Sequence, residues 1–421
     1  MISSPIKPFD FFIPKIHKNI YNAICKALTE IFINHRYSDR VLEAMLKSNS
    51  KWGSRDRRII AESVYDITRY WRLLAESLKM GNHIDEEDIE DIVSLYFVKK
   101  NIEIEGYTQR IKSGEMRYAK NLNVRVIRES IPDWLDKYGE QMLKSKWGAE
   151  LSAMNIPADV YIRANRIKTT KEKLQKLLQE EEIETEPVEG VDDALRLVTK
   201  KNLFMTDCFA DGLFEIQDAA SQMVSSVLDI KKGMRVIDAC AGAGGKALHI
   251  ASLLNNSGKI IALDVEDRKL TELKRRAKRN SISNIETRLI DDNKVIKRLA
   301  NSADRLLIDA PCSGSGVIRR NPDAKWRLSP ERIAELVIKQ GEILQNYAKM
   351  VKVGGIMVYA TCSIFEDENQ SQVAKFLKNN SSFELLSEQV LLSSETGFDG
   401  FYIAKLKRNE SKAQTGDTSN S

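Results

Sequence analysis

Glycine and proline are scarce, at 21 and 9 residues in a chain of 421, against a usual combined share of about 12%. Long regular elements, above all helices, should therefore dominate. The five cysteines, Cys25, Cys208, Cys240, Cys312 and Cys362, are odd in number, widely spaced and without a CxxC pair. This argues against a disulfide framework, and with only 4 histidines no metal site is expected either. The opening MISSPIKPFDFFIPK has no uninterrupted apolar run, so no secretory signal is read there and a cytoplasmic location is expected. Hydrophobic residues at 42% and charged residues at 30% exclude collagen-like, mainly disordered and membrane-embedded classes. Lys and Arg number 65 against 60 Asp and Glu, a mild excess that permits a nucleic-acid partner without demonstrating one.

Domain-size statistics divide such a chain into roughly two or three domains. Residues 1–145 are expected to be helical: Val41, Leu42, Met45 and Leu46 fall at helical spacing, as do Ile60, Val64, Ile67, Trp71 and Leu74 over Ile59–Leu78. Between these runs lies the basic KWGSRDRR, balanced by an acidic cluster at Asp85–Asp91. A small α+β connector is expected over 146–215, with VYIRANRIK as strand and basic turn, KEKLQKLLQEE as helix, and strand-like apolar residues over Leu203–Ile216. Over 216–408, apolar strands alternate with helices, which predicts an α/β domain with a parallel sheet covered on both faces. The polar stretch 409–421 is expected to be a disordered tail.

In VIDACAGAGGK, residues 236–246, a strand passes through a glycine loop into a helix. Glycines let backbone approach a ligand closely, and the helix start offers free amides. Cys240 and Ala247 exclude a Walker A loop. Gly242, Gly244 and Ala247 satisfy GxGxxG/A, with Asp264 at the end of the next strand as the candidate ribose-binding acid. The loop thus points to a nucleoside cofactor while leaving NAD and S-adenosylmethionine open; a ligand-free turn, with Asp264 capping the next helix, is the plainer alternative. Farther on, LLIDAPCSGSG places Asp309, Pro311 and Cys312 where a buried strand runs out, and GGIMVYATCS does the same for Cys362. Ligand crevices of open α/β sheets lie beyond the carboxyl ends of strands, so both thiols should face one cleft, where a thiolate is a strong nucleophile. Inert core filling is the alternative for each. Cys240 more simply packs in its loop, and Cys25 and Cys208 look structural.

The segments DACAGAGGK, ALDVEDRK, IDD, DAPCSGSGVIRRNPDAKWR and VYATCS, in this order over residues 159–406, resemble the Nop/Sun-type RNA cytosine-5 methyltransferases. RYSDRVLEAMLK and WGSRDRRIIAESVYDITRYW resemble the NusB-like domain of the bacterial 16S ribosomal RNA members. The resemblance implies a Rossmann-like class I methyltransferase domain behind an all-α NusB-like domain, with S-adenosyl-L-methionine as cofactor and RNA as partner; a monomer is expected. It further implies that Cys240, Ala241, Gly242, Ala243, Gly244, Gly245 and Lys246 wrap the methionine end of the cofactor. Asp264 would take the ribose with Lys269 nearby, and Asp291 would face the adenine, Asp292 being the fallback. Asp309 would hold the cytosine edge, Cys362 would attack and Cys312 would assist release. The family commonly has Pro where Ala243 stands and Thr where Ala247 stands. A Pro-Cys nucleophile of the DNA-methyltransferase type would instead select Cys312.

Carbon 5 of cytosine is a poor nucleophile until a thiolate adds at carbon 6, and a nearby carboxyl stabilises the adduct; no metal is required. For RNA contacts, Arg319, Arg320 and Lys325 with Trp326 follow the Asp309–Cys312 loop directly, the alternative being a salt-bridged loop with a core tryptophan. Arg55, Arg57 and Arg58 either grip RNA backbone or cap and pair within the helices. The basic helix after Asp264 reads as a solvated outer face. The target cytosine must be splayed out of its stack. Two rivals stand beside this expectation: a nicotinamide dehydrogenase, and a non-catalytic RNA-binding assembly factor.

Overall fold

In the computed structural model the described residues are 4–410, excepting 12, 14, 82, 105, 199 and 200. The expected tail lies, beyond residue 410, outside them. The chain divides into two compact units: residues Met1–Pro157 with Ile318–Ser329, and Ala158–Val317 with Pro330–Ser421.

The first unit is helical, running from Lys18–Phe32 to Trp147–Met154. Val41, Leu42, Ile60, Val64, Ile67 and Leu74 all enter one apolar core. The expected single helix over Ile59–Leu78 is two, Ser54–Arg69 and Trp71–Leu78, broken at Tyr70 (φ −107°, ψ 25°). Distant partners stabilise the break: the Ser130 hydroxyl accepts the Arg72 N–H at 2.8 Å, and the Tyr70 hydroxyl donates to the Asn155 carbonyl at 3.2 Å. The Ser130 oxygen thereby satisfies one of the orphan N–H donors at a helix start. In the acidic cluster, Asp85 and Asp88 form a capping box for Glu86–Lys99, and Asp88 and Asp91 pair with Arg110.

The second unit carries two sheets. Strands β1 (Tyr161–Ala164), β2 (Thr185–Pro187), β3 (Ala194–Leu197) and β4 (Phe214–Ile216) form an antiparallel sheet in the order β2-β3-β1-β4. Only the end of the strand-like run 203–216 pairs. Its first part makes two short helical turns capped by Asn202 and Thr206, because those side chains offer the backbone an alternative to a ladder.

The large sheet has the order β10-β11-β9-β8-β5-β6-β7, from β5 (Arg235–Asp238), β6 (Lys259–Asp264), β7 (Ile285–Leu289), β8 (Ala303–Asp309), β9 (Val351–Thr361), β10 (Phe383–Leu391) and β11 (Phe401–Arg408). Alternation along the strands feeds two cores: Ile237, Ile261, Leu306 and Ile308 enter one layer, Val236, Ile260 and Leu307 the other. Strands β5 to β9 are parallel, but β11 runs antiparallel to both β9 and β10. The expected parallel sheet is thus present over β5 to β9, and an antiparallel edge extends it. The link between β10 and β11 holds only the turn Ser393–Thr396, and a parallel return needs a crossover of a dozen or more residues. Chain order reverses between β5 and β8, which puts the ligand crevice of a doubly wound sheet beyond their carboxyl ends.

Candidate active site

Four adjacent strand ends deliver the site. Strand β5 ends in Asp238, β6 in Asp264, β8 in Asp309, and β9 runs directly into Cys362. The glycine loop follows β5, with Gly242 at φ +55° and Gly244 at φ +92°. At Gly244 a side chain is excluded twice, since a Cβ there would stand 2.6 Å from Leu273 Cγ. The helix Gly245–Leu254 starts from this turn. Arg163, buried on β1, donates to the Gly245 carbonyl at 2.9 Å and braces that helix start. Ala243, where the resembled family has Pro, accepts from Arg276 through its carbonyl at 2.8 Å. Ala247, where it has Thr, is fully buried against Leu273 and Ala277, so this departure fills an apolar contact. Cys240 is half-buried in the loop, and burial pushes its thiol well above the usual range.

Asp264 is 8% exposed and holds the loop. One carboxylate oxygen accepts the Gly242 N–H at 2.8 Å and the other the Glu266 N–H at 2.9 Å. The helix Asp267–Arg279 has no side-chain cap. Asp291 lies exposed just after β7, whereas Asp292 caps the next short helix through the Lys294 N–H at 2.7 Å. Lys269 is exposed and paired with Glu266 at 2.7 Å.

Lys246 reaches from the glycine loop to Asp309 at 2.6 Å. Burial works to lower its ammonium, but the Asp309 carboxylate outweighs burial, with lesser help from Cys362, and holds the group above the ordinary lysine value. Beyond Asp309, the Cys312 and Cys362 sulfurs stand 3.3 Å apart. Sequence-distant thiols are thus brought into one cleft with Asp309 and Lys246. The contact with Cys362, then burial, pushes the Cys312 thiol well above its ordinary value. The loop from Cys312 is held against the other cysteine by the Gly316 N–H, which donates to the Cys362 carbonyl at 2.9 Å.

Two acidic residues escaped the sequence analysis. Asp238 is 1% exposed with neither carboxylate oxygen hydrogen-bonded. Burial, then the neighbouring Asp309 charge, raises it to about 7. Glu368 is fully buried beneath the two cysteine loops. Asp238 stood in the quoted glycine-loop motif, at the strand end; Glu368 had no signal beyond lying six residues after Cys362.

Several RNA-contact expectations need correction. Lys325 is 2% exposed, and its ammonium donates to the Arg69 carbonyl at 2.7 Å and Asn155 Oδ1 at 3.1 Å. Trp326 donates to the Thr68 carbonyl at 2.7 Å and packs on the helical core. Arg319 is buried, and its guanidinium donates to the Pro157 carbonyl at 3.4 Å. The alternative of a core tryptophan loop therefore describes this segment, because helix-end carbonyls there take up the donors. Arg57 is half-buried and donates to the carbonyls of Trp52, Leu46 and Asn49. Arg58 pairs with Asp10 and Glu62. Arg320 is half-buried, and Arg55 is exposed over the Phe11 ring at 5.5 Å.

A family model described as 16S rRNA methyltransferase RsmB/F matches residues 225–407, and one for the ferredoxin-like domain of RsmF/B-like methyltransferases matches 131–203. The ribosomal RNA small subunit methyltransferase B of Serratia proteamaculans (strain 568) is 34% identical over 307 residues, covering 71% of this chain and 70% of that protein. The "probable ribosomal RNA small subunit methyltransferase B" of Bacillus subtilis (strain 168) is 28% identical over 91% of this chain and 97% of that protein. Among solved structures, PH0851 superposes with a TM-score of 0.78 at 26% identity, covering 94% of this chain and 99% of that one. NSun6 from Pyrococcus horikoshii, solved with SFG, shares the fold at a TM-score of 0.62 and 20% identity, over 67% of this chain and 100% of that one. The glycine loop alone left a nicotinamide enzyme open; these matches set that alternative aside. The chain belongs to the RsmB/F family of 16S rRNA methyltransferases.

Proposed function

We propose that this enzyme methylates carbon 5 of a cytosine in 16S ribosomal RNA, using S-adenosylmethionine and a covalent cysteine–cytosine adduct. The observation that carries the proposal is the pair of sulfurs 3.3 Å apart beside the Lys246–Asp309 pair.

The cofactor suits the residues present. The two unpaired, buried oxygens of Asp238 fit a donor as strong as the ammonium of an amino acid, and Gly242 to Lys246 line the approach with backbone. Asp264 retains acceptor capacity for ribose hydroxyls, and Asp291 stands exposed at the end of β7 for the adenine, with Lys269 on the neighbouring helix. When bound, S-adenosylmethionine supplies a methyl group on a positively charged sulfur. The chain supplies the rest. Cys362 adds as thiolate to carbon 6, which makes carbon 5 nucleophilic, and Lys246 places a cation near the attacking sulfur. Asp309, oriented by Lys246, holds the ring edge. After transfer, carbon 5 gives its proton to water and the bond from carbon 6 to the Cys362 sulfur breaks as the 5,6 double bond re-forms, with Cys312 beside that sulfur assisting the release. Arg55, exposed, and Arg320, half-buried, are proposed as phosphate contacts.

The two thiols predict opposite behaviour on a denaturing gel. Cys362→Ala should abolish methylation and leave no protein–RNA band. Cys312→Ala should form the adduct and release it slowly, so that the band accumulates. Removing a nucleophile costs on the order of a millionfold in rate, so the contrast is plain. A band from Cys362→Ala with none from Cys312→Ala would reverse the roles. Bisulfite sequencing of 16S RNA with and without the gene tests the carbon 5 position itself.

A further inference from the structure

Cys312 and Cys362 lie on different loops. Besides the Gly316–Cys362 backbone bond, one buried side chain is hydrogen-bonded to both loops. Glu368 is 0% exposed. One of its oxygens accepts the Ser313 N–H at 2.7 Å and the Gln340 amide at 2.9 Å. The other accepts the Ser313 hydroxyl at 2.5 Å and the Ser363 hydroxyl. Ser313 follows Cys312 and Ser363 follows Cys362, so one carboxylate grips both loops at the residue next to each thiol. Gln340 extends the grip, donating also to the Pro311 carbonyl at 3.0 Å. Ser315 closes the ring, with its hydroxyl 3.0 Å from that of Ser363 and accepting the Ile364 N–H at 3.0 Å. Glu368 itself is held by Tyr359, which donates to its carbonyl at 2.8 Å.

A buried carboxylate is costly unless its lone pairs are filled. Among the described residues no lysine or arginine bridges to Glu368; only serines, a glutamine and a backbone amide satisfy it. That is an expensive way to fill space and an effective way to tie two loops, since every donor belongs to an element bearing or buttressing a thiol. We infer that Glu368 is a positioning residue that sets the separation of the Cys312 and Cys362 sulfurs. The inference rests on the two-thiol chemistry proposed above for its functional meaning, but the geometry it claims can be measured without that chemistry.

The measurement is the rate at which the intact protein forms a Cys312–Cys362 disulfide under diamide, which takes up the two electrons and two protons released. Peptide mapping by mass spectrometry identifies the bridge and separates it from products of Cys25, Cys208 and Cys240. Glu368→Leu removes all four acceptor contacts at similar volume, and should slow the bridge at least tenfold. Glu368→Gln can keep the tie, because its amide oxygen accepts and serine hydroxyls can turn to accept from its NH2; it should stay within threefold of the parent. If Glu368→Leu does not fold, the double variant Ser313→Ala/Ser363→Ala, which cuts both hydroxyl ties, should slow the bridge at least threefold. In methyl transfer, the slowed variants should lose kcat with little change in the KM for S-adenosylmethionine.

A folded Glu368→Leu that bridges at the parental rate would overturn the inference, as would a Glu368→Gln as slow as the leucine variant, which would make charge rather than tethering the cause. Failure of the adduct chemistry looks different: no RNA band from Cys312→Ala, while the bridge rate still follows Glu368.

Discussion

Gly316→Ala tests how tightly the Cys312 and Cys362 loops are stitched together. An added Cβ would stand 2.1 Å from the Gly400 carbonyl oxygen and 2.5 Å from its carbon. Real Cβ atoms keep beyond 3.0 Å, and the obstacle is backbone, which cannot swing aside as a side-chain tip can. One of the two loops must therefore move by roughly 1 Å, a displacement that at a reacting centre can cost about a hundredfold in rate. Two hydrogen bonds lie in the path: Gly316 N–H to the Cys362 carbonyl at 2.9 Å, and Gly400 N–H to the Gly316 carbonyl at 2.8 Å. Overpacking costs about 1–3 kcal/mol and each weakened bond about 0.5–1.5 kcal/mol. The variant should lose roughly 2–6 kcal/mol on these terms. Urea unfolding gives the stability change, and single-turnover transfer of labelled methyl to 16S RNA gives the rate. Gly148→Ala is the contrasting substitution. It sits in the helix Trp147–Met154 with open space at its Cβ, and should gain about 0.5–1 kcal/mol. A Gly316→Ala protein with stability within about 0.5 kcal/mol of the parent and an unaltered rate would refute the reasoning.

Three further substitutions probe the cofactor end and the helical unit. Asp238, raised to about 7 in the folded chain from about 3.9 unfolded, binds its proton more tightly when folded. Its contribution is therefore fully present below about pH 4 and lost as the pH rises through about 7. Asp238→Asn should flatten that loss, so its melting temperature should exceed the parent's at pH 8 more than at pH 5, while calorimetry with S-adenosylhomocysteine should show weakened binding. Asp264→Ala removes the acceptor for the Gly242 N–H as well as the proposed ribose contact, and should weaken S-adenosylhomocysteine about ten- to hundredfold; unchanged affinity in a folded variant would limit Asp264 to organising the loop. Lys325→Ala leaves the Arg69 carbonyl and Asn155 Oδ1 without their donor, and should destabilise by about 1–3 kcal/mol. Its salt dependence of RNA binding should stay at the parental slope, whereas loss of a true phosphate contact reduces that slope by about 1.

The fold was legible where local pattern and tertiary demand coincide. Strands β5, β6 and β8 carry the buried apolar runs Val236–Ile237, Ile260–Leu263 and Leu306–Ile308, and the helix after β6 shows one apolar stripe, Leu270, Leu273 and Ala277. The departures arose where a distant residue decides. The break at Tyr70 depends on Ser130 and Asn155. The antiparallel edge depends on the short return between β10 and β11, in a strand whose residues from Glu384 to Glu388 are exposed and so carry little apolar signal.

Charge was the harder quantity to place, and for one physical reason. A cation in a sequence string looks equally suited to phosphate, carboxylate or backbone carbonyl, because all three are acceptors. Which one it meets depends on which helix ends are nearby with unpaired carbonyls. Lys325 and Arg57 follow basic, glycine-containing stretches that look like phosphate grips, yet each faces carbonyls from helix ends or the loops beside them. The same blindness hid the acids. Asp238 is left unpaired where the glycine loop turns, and Glu368 is filled by serines and an amide; neither state is visible in the words DACAG or EDENQ. The cysteines escaped this ambiguity because a thiol beyond a buried strand end has few structural uses, and topology alone then brings two such ends together. Strands β8 and β9 are parallel neighbours, with Asp309 paired to Ala360, so residues just past each end must converge. The sulfur separation of 3.3 Å follows from that register and from the buried carboxylate tying the serines beside them.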